Sequence, residues 1–189
     1  MEEEVRLRLV PAAAIDACAV AGLVNRAYAT YAHLFAGQRT TPAELLAEAG
    51  TAGRFILAED SAGLLLGSAL VAPAERFVEP DMLGPAGTAR PAAPDVPPGH
   101  PWRGALYFGM AAVEVDRMNR GIGRRLVAFA EDLARAEGYP AVALGTVREF
   151  GLVEYYERLG YRVIHEVEHP AGHWDFLVRH RYCEMVKPT

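Results

Sequence analysis

Little in this chain points to a membrane, a metal or a nucleic acid. Cysteine is scarce: Cys18 and Cys183 stand alone, which excludes a disulfide framework and a cysteine-based metal set. No apolar run approaches bilayer length before Gly, Glu or Arg interrupts it, so no spanning helix is expected. Positive charge is not in surplus. The net charge of −5 gives no support to general nucleic-acid binding; it favours a cationic amine substrate modestly, and serves solubility equally well. The opening Met1-Glu2-Glu3-Glu4 lacks the basic-then-apolar order of a secretory signal, so a cytoplasmic protein is expected. What the chain does have is bulk: 189 residues, 51% of them hydrophobic, suit one domain over 1–189 with a sizeable core. There is no internal repeat.

The most informative stretch is Asn119-Arg120-Gly121-Ile122-Gly123-Arg124-Arg125-Leu126. It follows an apolar run, Ala105 to Val115, that reads as a strand. It opens an amphipathic segment reaching Glu137, in which Ile122, Leu126, Phe129, Ala130 and Leu133 recur at helical spacing. Gly138 is a natural stop. Two glycines and three arginines therefore sit where a strand hands over to a helix. Glycine lets backbone approach a ligand closely, and the first helical N–H groups attract anions. Phosphate is the expected ligand. A P-loop is excluded by the missing lysine, and a dinucleotide fingerprint is poor because Leu126 stands at the third glycine position.

In chain order, Val5 to Val10 alternates as a half-buried strand, and Ala12 to about Ala29 reads as a helix with Ile15, Val20, Leu23, Val24 and Tyr28 toward the core. Aromatics and polar tips then cluster at Tyr28, Tyr31, His33, Phe35 and Gln38. Thr41-Pro42-Ala43-Glu44 predicts a second helix by its cap, proline and early carboxylate. Phe55 to Glu59 and Leu64 to Val71 flank a turn and form a hairpin. Pro73 to Pro101 holds eight of the thirteen prolines and no periodicity, so 73–104 reads as an insertion, either a lid over a binding site or a surface excursion. Ala141 to Thr146 is a strand apolar enough to be covered on both faces. Leu152, Tyr155, Tyr156 and Leu159 mark a short helix stopped by Gly160, and Tyr161 to Val167 and Phe176 to Met185 close the chain as strands.

Met118-Asn119-Arg120-Gly121-Ile122-Gly123 resembles the [QR]-x-x-G-x-[GA] pyrophosphate loop of the GNAT N-acetyltransferase superfamily, with Met118 replacing the usual Gln or Arg. Tyr156-Glu157-Arg158-Leu159-Gly160-Tyr161, thirty-three residues past Gly123, resembles the family's Y-x-x-x-G-[FY] block. The resemblance covers about 105–167. It implies an α/β (α+β) fold, a mixed and mostly antiparallel sheet of about seven strands flanked by about four helices. It also implies acetyl-CoA as acyl donor, held by Ala111, Ala112, Val113 and Val115 along its pantetheine. Met118, Asn119, Arg120, Gly121, Ile122, Gly123 and Arg124 would surround the pyrophosphate. Glu149 and Leu152 occupy places where the family often has Asn and Ala. Pro170-Ala171-Gly172-His173-Trp174, with Phe176 and Arg179, loosely resembles small-molecule acetyltransferases, including the puromycin-modifying type.

By the same resemblance the amine attacks the thioester directly, with no protein nucleophile and no metal. Tyr156 is the implied general acid for the leaving thiolate, and its neighbour Tyr155, about 100° around the helix, is assigned to the core. Glu114 is the candidate base, with Tyr107, His33, Glu149, His165, His169, His173 and a water chain as rivals. Tyr31, His33, Phe35 and Tyr107 are the candidate acceptor contacts. The expected partner is a small-molecule or peptide amine, with no nucleic acid, no membrane, and a homodimer left open. The competing reading is a non-catalytic acyl-CoA-binding regulatory module on the same fold.

Overall fold

The computed structural model describes residues 4–78 and 98–189. Seven strands form one sheet in the order β1-β2-β3-β4-β5-β7-β6. They are β1 (Arg6–Pro11), β2 (Arg54–Glu59), β3 (Leu65–Pro73), β4 (Leu106–Val113), β5 (Ala141–Val147), β6 (Arg162–His169) and β7 (His180–Pro188). Every neighbouring pair is antiparallel except β4 and β5. Among the described residues four α-helices accompany them: α1 (Ala17–Tyr28), α2 (Pro42–Ala49), α3 (Ile122–Glu137) and α4 (Val153–Arg158). The expected α/β architecture and element order are present.

Side chains alternate across the sheet as strand geometry requires. On β2, Phe55 and Leu57 join the core that includes Val20, Leu23 and Val24 of α1 and Leu45 of α2. Ile56 and Ala58 join the opposite core, with Leu126, Val127 and Ala130 of α3 and Tyr156 of α4. With helices on both faces the central strands are mostly apolar, buried Ser68 and Thr146 being exceptions, and β3 is buried from Leu66 to Ala72. The α2 start is a full capping box: Glu44 N donates to Thr41 Oγ1 at 3.2 Å and Thr41 N donates to Glu44 Oε2 at 2.8 Å. The first helix begins later than its apolar spacing suggests. Ala12–Ala14 is a 3-10 turn, and Asp16 caps α1 through the Ala19 N–H.

Most of the 73–104 insertion, and with it the lid reading, lies outside the described residues. Its two ends are anchored. Ala74 N donates to Ala105 O, Gly104 N to Glu75, and Trp102 is fully buried. The last strand starts at His180 rather than Phe176. Phe176 instead forms an isolated bridge with Phe35, which takes Phe176–Arg179 out of the β7 ladder and into the loop.

Candidate active site

The site is created by strands that part. β4 and β5 pair only at Leu106 with Val142 and Tyr107 with Ala143, and the ladder then stops. On the other side of β4, the register against β3 shifts between Ser68 and Leu70, and Met110 takes a left-handed φ of 46°. Such a bulge bends its strand and ends pairing locally. The divergence opens a cleft of about 390 Å³ lined from β4 by Tyr107 to Ala111 and from β5 by Gly145 to Val147. Tyr28, Phe35, Phe77, Phe150, Leu152, Tyr156, Trp174, Phe176 and Tyr182 complete its apolar walls, with Gln38, Arg39, Glu48 and Asp175 as polar members.

Two glycines keep the cleft open beside two tyrosine rings. A Cβ on Gly109 would fall 2.2 Å from the Tyr107 ring, and one on Gly145 would fall 1.8 Å from the Tyr182 hydroxyl. Both distances are impossible, so each tyrosine lies directly over its glycine. Tyr107 is also stacked on Phe77, centroids 3.8 Å apart.

Tyr156 lines the cleft and is 8% exposed. Burial pushes its phenol above the ordinary tyrosine value, so it remains protonated at neutral pH. Tyr155 points elsewhere. It is half-buried and packs against the core that holds Tyr156, and its hydroxyl lies 3.6 Å from where a Gly123 Cβ would sit. Burial raises its pKa, with Arg124 and Arg158 opposing. The Tyr155 ring thus joins the core as helical spacing suggests, while its hydroxyl reaches the start of α3.

The glycine loop has the form a phosphate cradle needs. Asn119 and Gly121 have φ of 61° and 82°, and Gly121 caps α3 without any side-chain hydrogen bond to its first N–H groups. Ile122 is buried, so only its backbone could meet a ligand; Asn119, Arg120 and Arg124 are exposed and Met118 is half-buried. The cleft ends at Ala111, and farther along β4 Val113 Cγ2 lies 3.9 Å from the same Gly123 position. Ala112 turns its side chain into the α1 core, and Val115 is exposed past the strand end. Strand edge and helix start thus follow one another along one side.

The other expected residues divide. Phe35 and Tyr107 line the cleft; Tyr31 stands behind it against Phe150, centroids 4.4 Å apart, and His33 is exposed outside it. Glu114 does not line the cleft. Its carboxylate accepts from Arg26, with Nε at 3.3 Å and Nη2 closer, and a paired carboxylate away from the cleft is not placed to take the acceptor's proton. Glu149 is committed to Arg181, whose backbone N–H donates to it at 2.9 Å. His165 is exposed on β6, and His169 and His173 stack on each other at 4.0 Å behind Trp174. Sequence reasoning missed Glu48, Phe150 and Tyr182. No local pattern marks them, since only tertiary folding brings α2, the turn after β5 and β7 to one cleft.

Among the described residues no group of His, Cys, Asp and Glu could hold a metal, and no helix is long and apolar enough to cross a membrane. Residues 35–161 match the model of the Acetyltransferase (GNAT) family. No curated protein matches the sequence. Among solved structures, a GCN5-related N-acetyltransferase from Kribbella flavida is 22% identical with a TM-score of 0.60, covering 97% of this chain and 98% of that one. The ribosomal-protein-S18-alanine N-acetyltransferase from Escherichia coli is 14% identical with a TM-score of 0.64, covering 97% and 94%. A Bacillus anthracis str. Ames protein described as a streptothricin acetyltransferase, in complex with acetyl coenzyme A, is 13% identical with a TM-score of 0.53, covering 74% and 64%. At these identities the neighbours establish the fold; the family rests on the match over 35–161, and the chain belongs to the GNAT acetyltransferases.

Proposed function

We propose that the protein is an acetyl-CoA-dependent N-acetyltransferase that passes the acetyl group directly to a primary amine. The observation that carries this is the placement of Tyr156, a buried phenol in a cleft whose β4 wall leads to the uncapped start of α3. The residues fit the donor. Ala111 to Val113 lie on the stretch of β4 that has lost its β5 ladder and offer backbone partners to pantetheine amides. Met118 to Arg124 supply the positive helix end, exposed guanidinium groups and a close backbone approach for the pyrophosphate.

The donor brings a thioester carbonyl to the cleft. The acceptor ammonium, held near Glu48 or Asp175, which line the cleft, loses one proton to cleft water. The free amine then bonds to the carbonyl carbon, the carbon–sulfur bond breaks, and Tyr156 gives its proton to the leaving sulfur. The second proton, lost from nitrogen as the amide forms, returns through cleft water to the Tyr156 oxygen.

Thermal shift tests the donor half. CoA at a hundred times its Kd stabilises by about 2.7 kcal/mol, roughly 5–10 °C for a chain of this size, whereas NAD and ATP should shift little. Gly123→Val should abolish the CoA shift and keep the fold, because a Cβ there meets only the Tyr155 hydroxyl at 3.6 Å and Val113 at 3.9 Å. Equal stabilisation by NAD, or a normal CoA response from Gly123→Val, would sink the assignment.

A further inference from the structure

Four rings from distant parts of the chain meet at the acceptor end of the cleft. Tyr28 ends α1, Phe35 follows it in the α1–α2 loop, Phe150 lies in the turn after β5, and Phe176 comes from the β6–β7 loop. Their centroids close a circuit: Tyr28 to Phe35 is 6.5 Å, Phe35 to Phe176 5.9 Å, Phe176 to Phe150 5.8 Å, and Phe150 to Tyr28 5.9 Å. All four line the cleft. Phe35 and Phe176 belong to a small buried core with Leu34 and Val147, and the half-buried Tyr28 and Phe150 pack against it, so that core presents part of its edge to the cleft.

A fifth ring is held at the rim at a conformational cost. Trp174 and Asp175 have left-handed φ values of 51° and 61°, which side chains larger than glycine avoid. The conformation is fixed by Ala36 N donating to Asp175 O at 2.8 Å and Gly172 N donating to Phe176 O at 2.7 Å. Trp174 nevertheless remains 41% exposed, edge-on to Tyr182. The indole packs one side against His169, His173 and Tyr182 and leaves the rest as contact area for a ligand.

Resting on the acetyltransferase reading, we infer that the acceptor is a small amine with a flat apolar body, in its simplest form an arylalkylamine. Its ring lies against the Tyr28–Phe35–Phe150–Phe176 wall beneath Trp174, and its ammonium meets Glu48. Three observations select this occupant. The Phe35–Phe176 bridge, with Leu177 N donating to Leu34 O at 2.8 Å, joins the two loops across the acceptor end and denies passage to an extended peptide. The volume of about 390 Å³ suits a small ligand. Arg39 lies over the Tyr28 ring, 5.5 Å from its centroid, so a second positive charge at the ring end of the substrate would meet a guanidinium already there.

Thiol release from acetyl-CoA should be measured with 2-phenylethylamine, spermidine and a lysine-containing hexapeptide, alongside CoA affinity by calorimetry. The expected result is a kcat/KM for 2-phenylethylamine at least about tenfold above the other two. Trp174→Ala, a change at an exposed position, should raise the KM for that amine by about tenfold and leave CoA affinity unchanged. Phe150→Leu, which keeps apolar volume, should do the same more weakly. Preference for spermidine or the peptide, or an unchanged KM in both variants, overturns this inference while CoA binding stands. Failure of the wild-type protein to bind CoA overturns the acetyltransferase reading itself.

Discussion

Removing one oxygen atom, in Tyr156→Phe, separates catalysis from packing. The ring packs edge-on against Tyr155 at 5.2 Å and Tyr161 at 5.8 Å, and phenylalanine preserves both contacts. Among the described residues burial, and not a hydrogen bond, is what acts on the Tyr156 hydroxyl, so its removal should disturb packing little. The change in stability should be within about 0.5 kcal/mol. The catalytic loss is larger. A hydrogen bond to a charged group contributes about 1.5–3 kcal/mol, and each 1.36 kcal/mol is tenfold in rate. Losing the donor to a departing thiolate should therefore lower kcat by roughly 10- to 150-fold, with CoA affinity unchanged. Burial holds the phenol above its ordinary pKa, so wild-type activity should show no loss through its ionisation up to about pH 9. Single-turnover thiol release and calorimetry make the measurement. Tyr155→Phe is the comparison: its hydroxyl faces Gly123 near Arg124, so it should weaken CoA binding and spare kcat. A Tyr156→Phe enzyme within twofold of wild type would refute the reasoning, and a kcat loss confined to Tyr155→Phe would exchange the two roles.

Two further outcomes concern the frame. Leu126→Ala removes a fully buried side chain where α3 meets the sheet, and should cost about 2–5 kcal/mol by chemical denaturation; a cost below about 1 kcal/mol would show the helix to be loosely packed. His180 is held below the usual histidine pKa, chiefly by burial, so the unfolded chain binds its proton more readily. Stability from this group is complete above about pH 6.5 and is lost as pH falls through the lower folded value. The Tm should begin to drop on acidification from pH 7 to 5.5, before the carboxylates of Glu59, Glu137 and Glu166 protonate, and less so in His180→Gln. A flat Tm over that range would remove the argument.

Features written in local patterns were legible in the sequence. The capping box at Thr41 and Glu44, the glycines at 121 and 123, and the 16-residue helix from Ile122 each follow from residues a few positions apart. The cleft-lining position of Tyr156 was legible through the resemblance of Tyr156 to Tyr161 to a known block, whose glycine, Gly160, follows the end of α4 with φ of 93°. Contacts between distant segments were not. Phe176 has strand-like neighbours, yet it bridges Phe35, and that choice moves the start of β7 to His180. Glu114 sits at a strand end near the expected site, but Arg26 on α1 claims it, and nothing near Glu114 in the sequence announces Arg26. Tyr155 reads as core by helical spacing and its ring packs there, but α3 begins beside it and leaves its hydroxyl at a helix terminus.

The proposed acceptor and donor halves of the site share one physical cause, the early end of pairing between β4 and β5. Parallel strands so covered by helices would ordinarily continue their ladder, since unpaired backbone in a core is costly. Here the bulge at Met110 turns β4 away from β5, leaving its edge available where a pantetheine chain would pair. The opened gap is not filled by larger side chains because Gly109 and Gly145 stand at its two lips, each overlaid by a tyrosine ring. Tyr182, which lies over Gly145, also meets Trp174 at 5.2 Å, so the lip of the split is physically continuous with the acceptor wall. A methyl group at either glycine would push its tyrosine into the cleft or the strand out of place. The least paired part of the sheet is thus where two substrates can meet, and the residues that keep it unpaired are small and unremarkable in sequence.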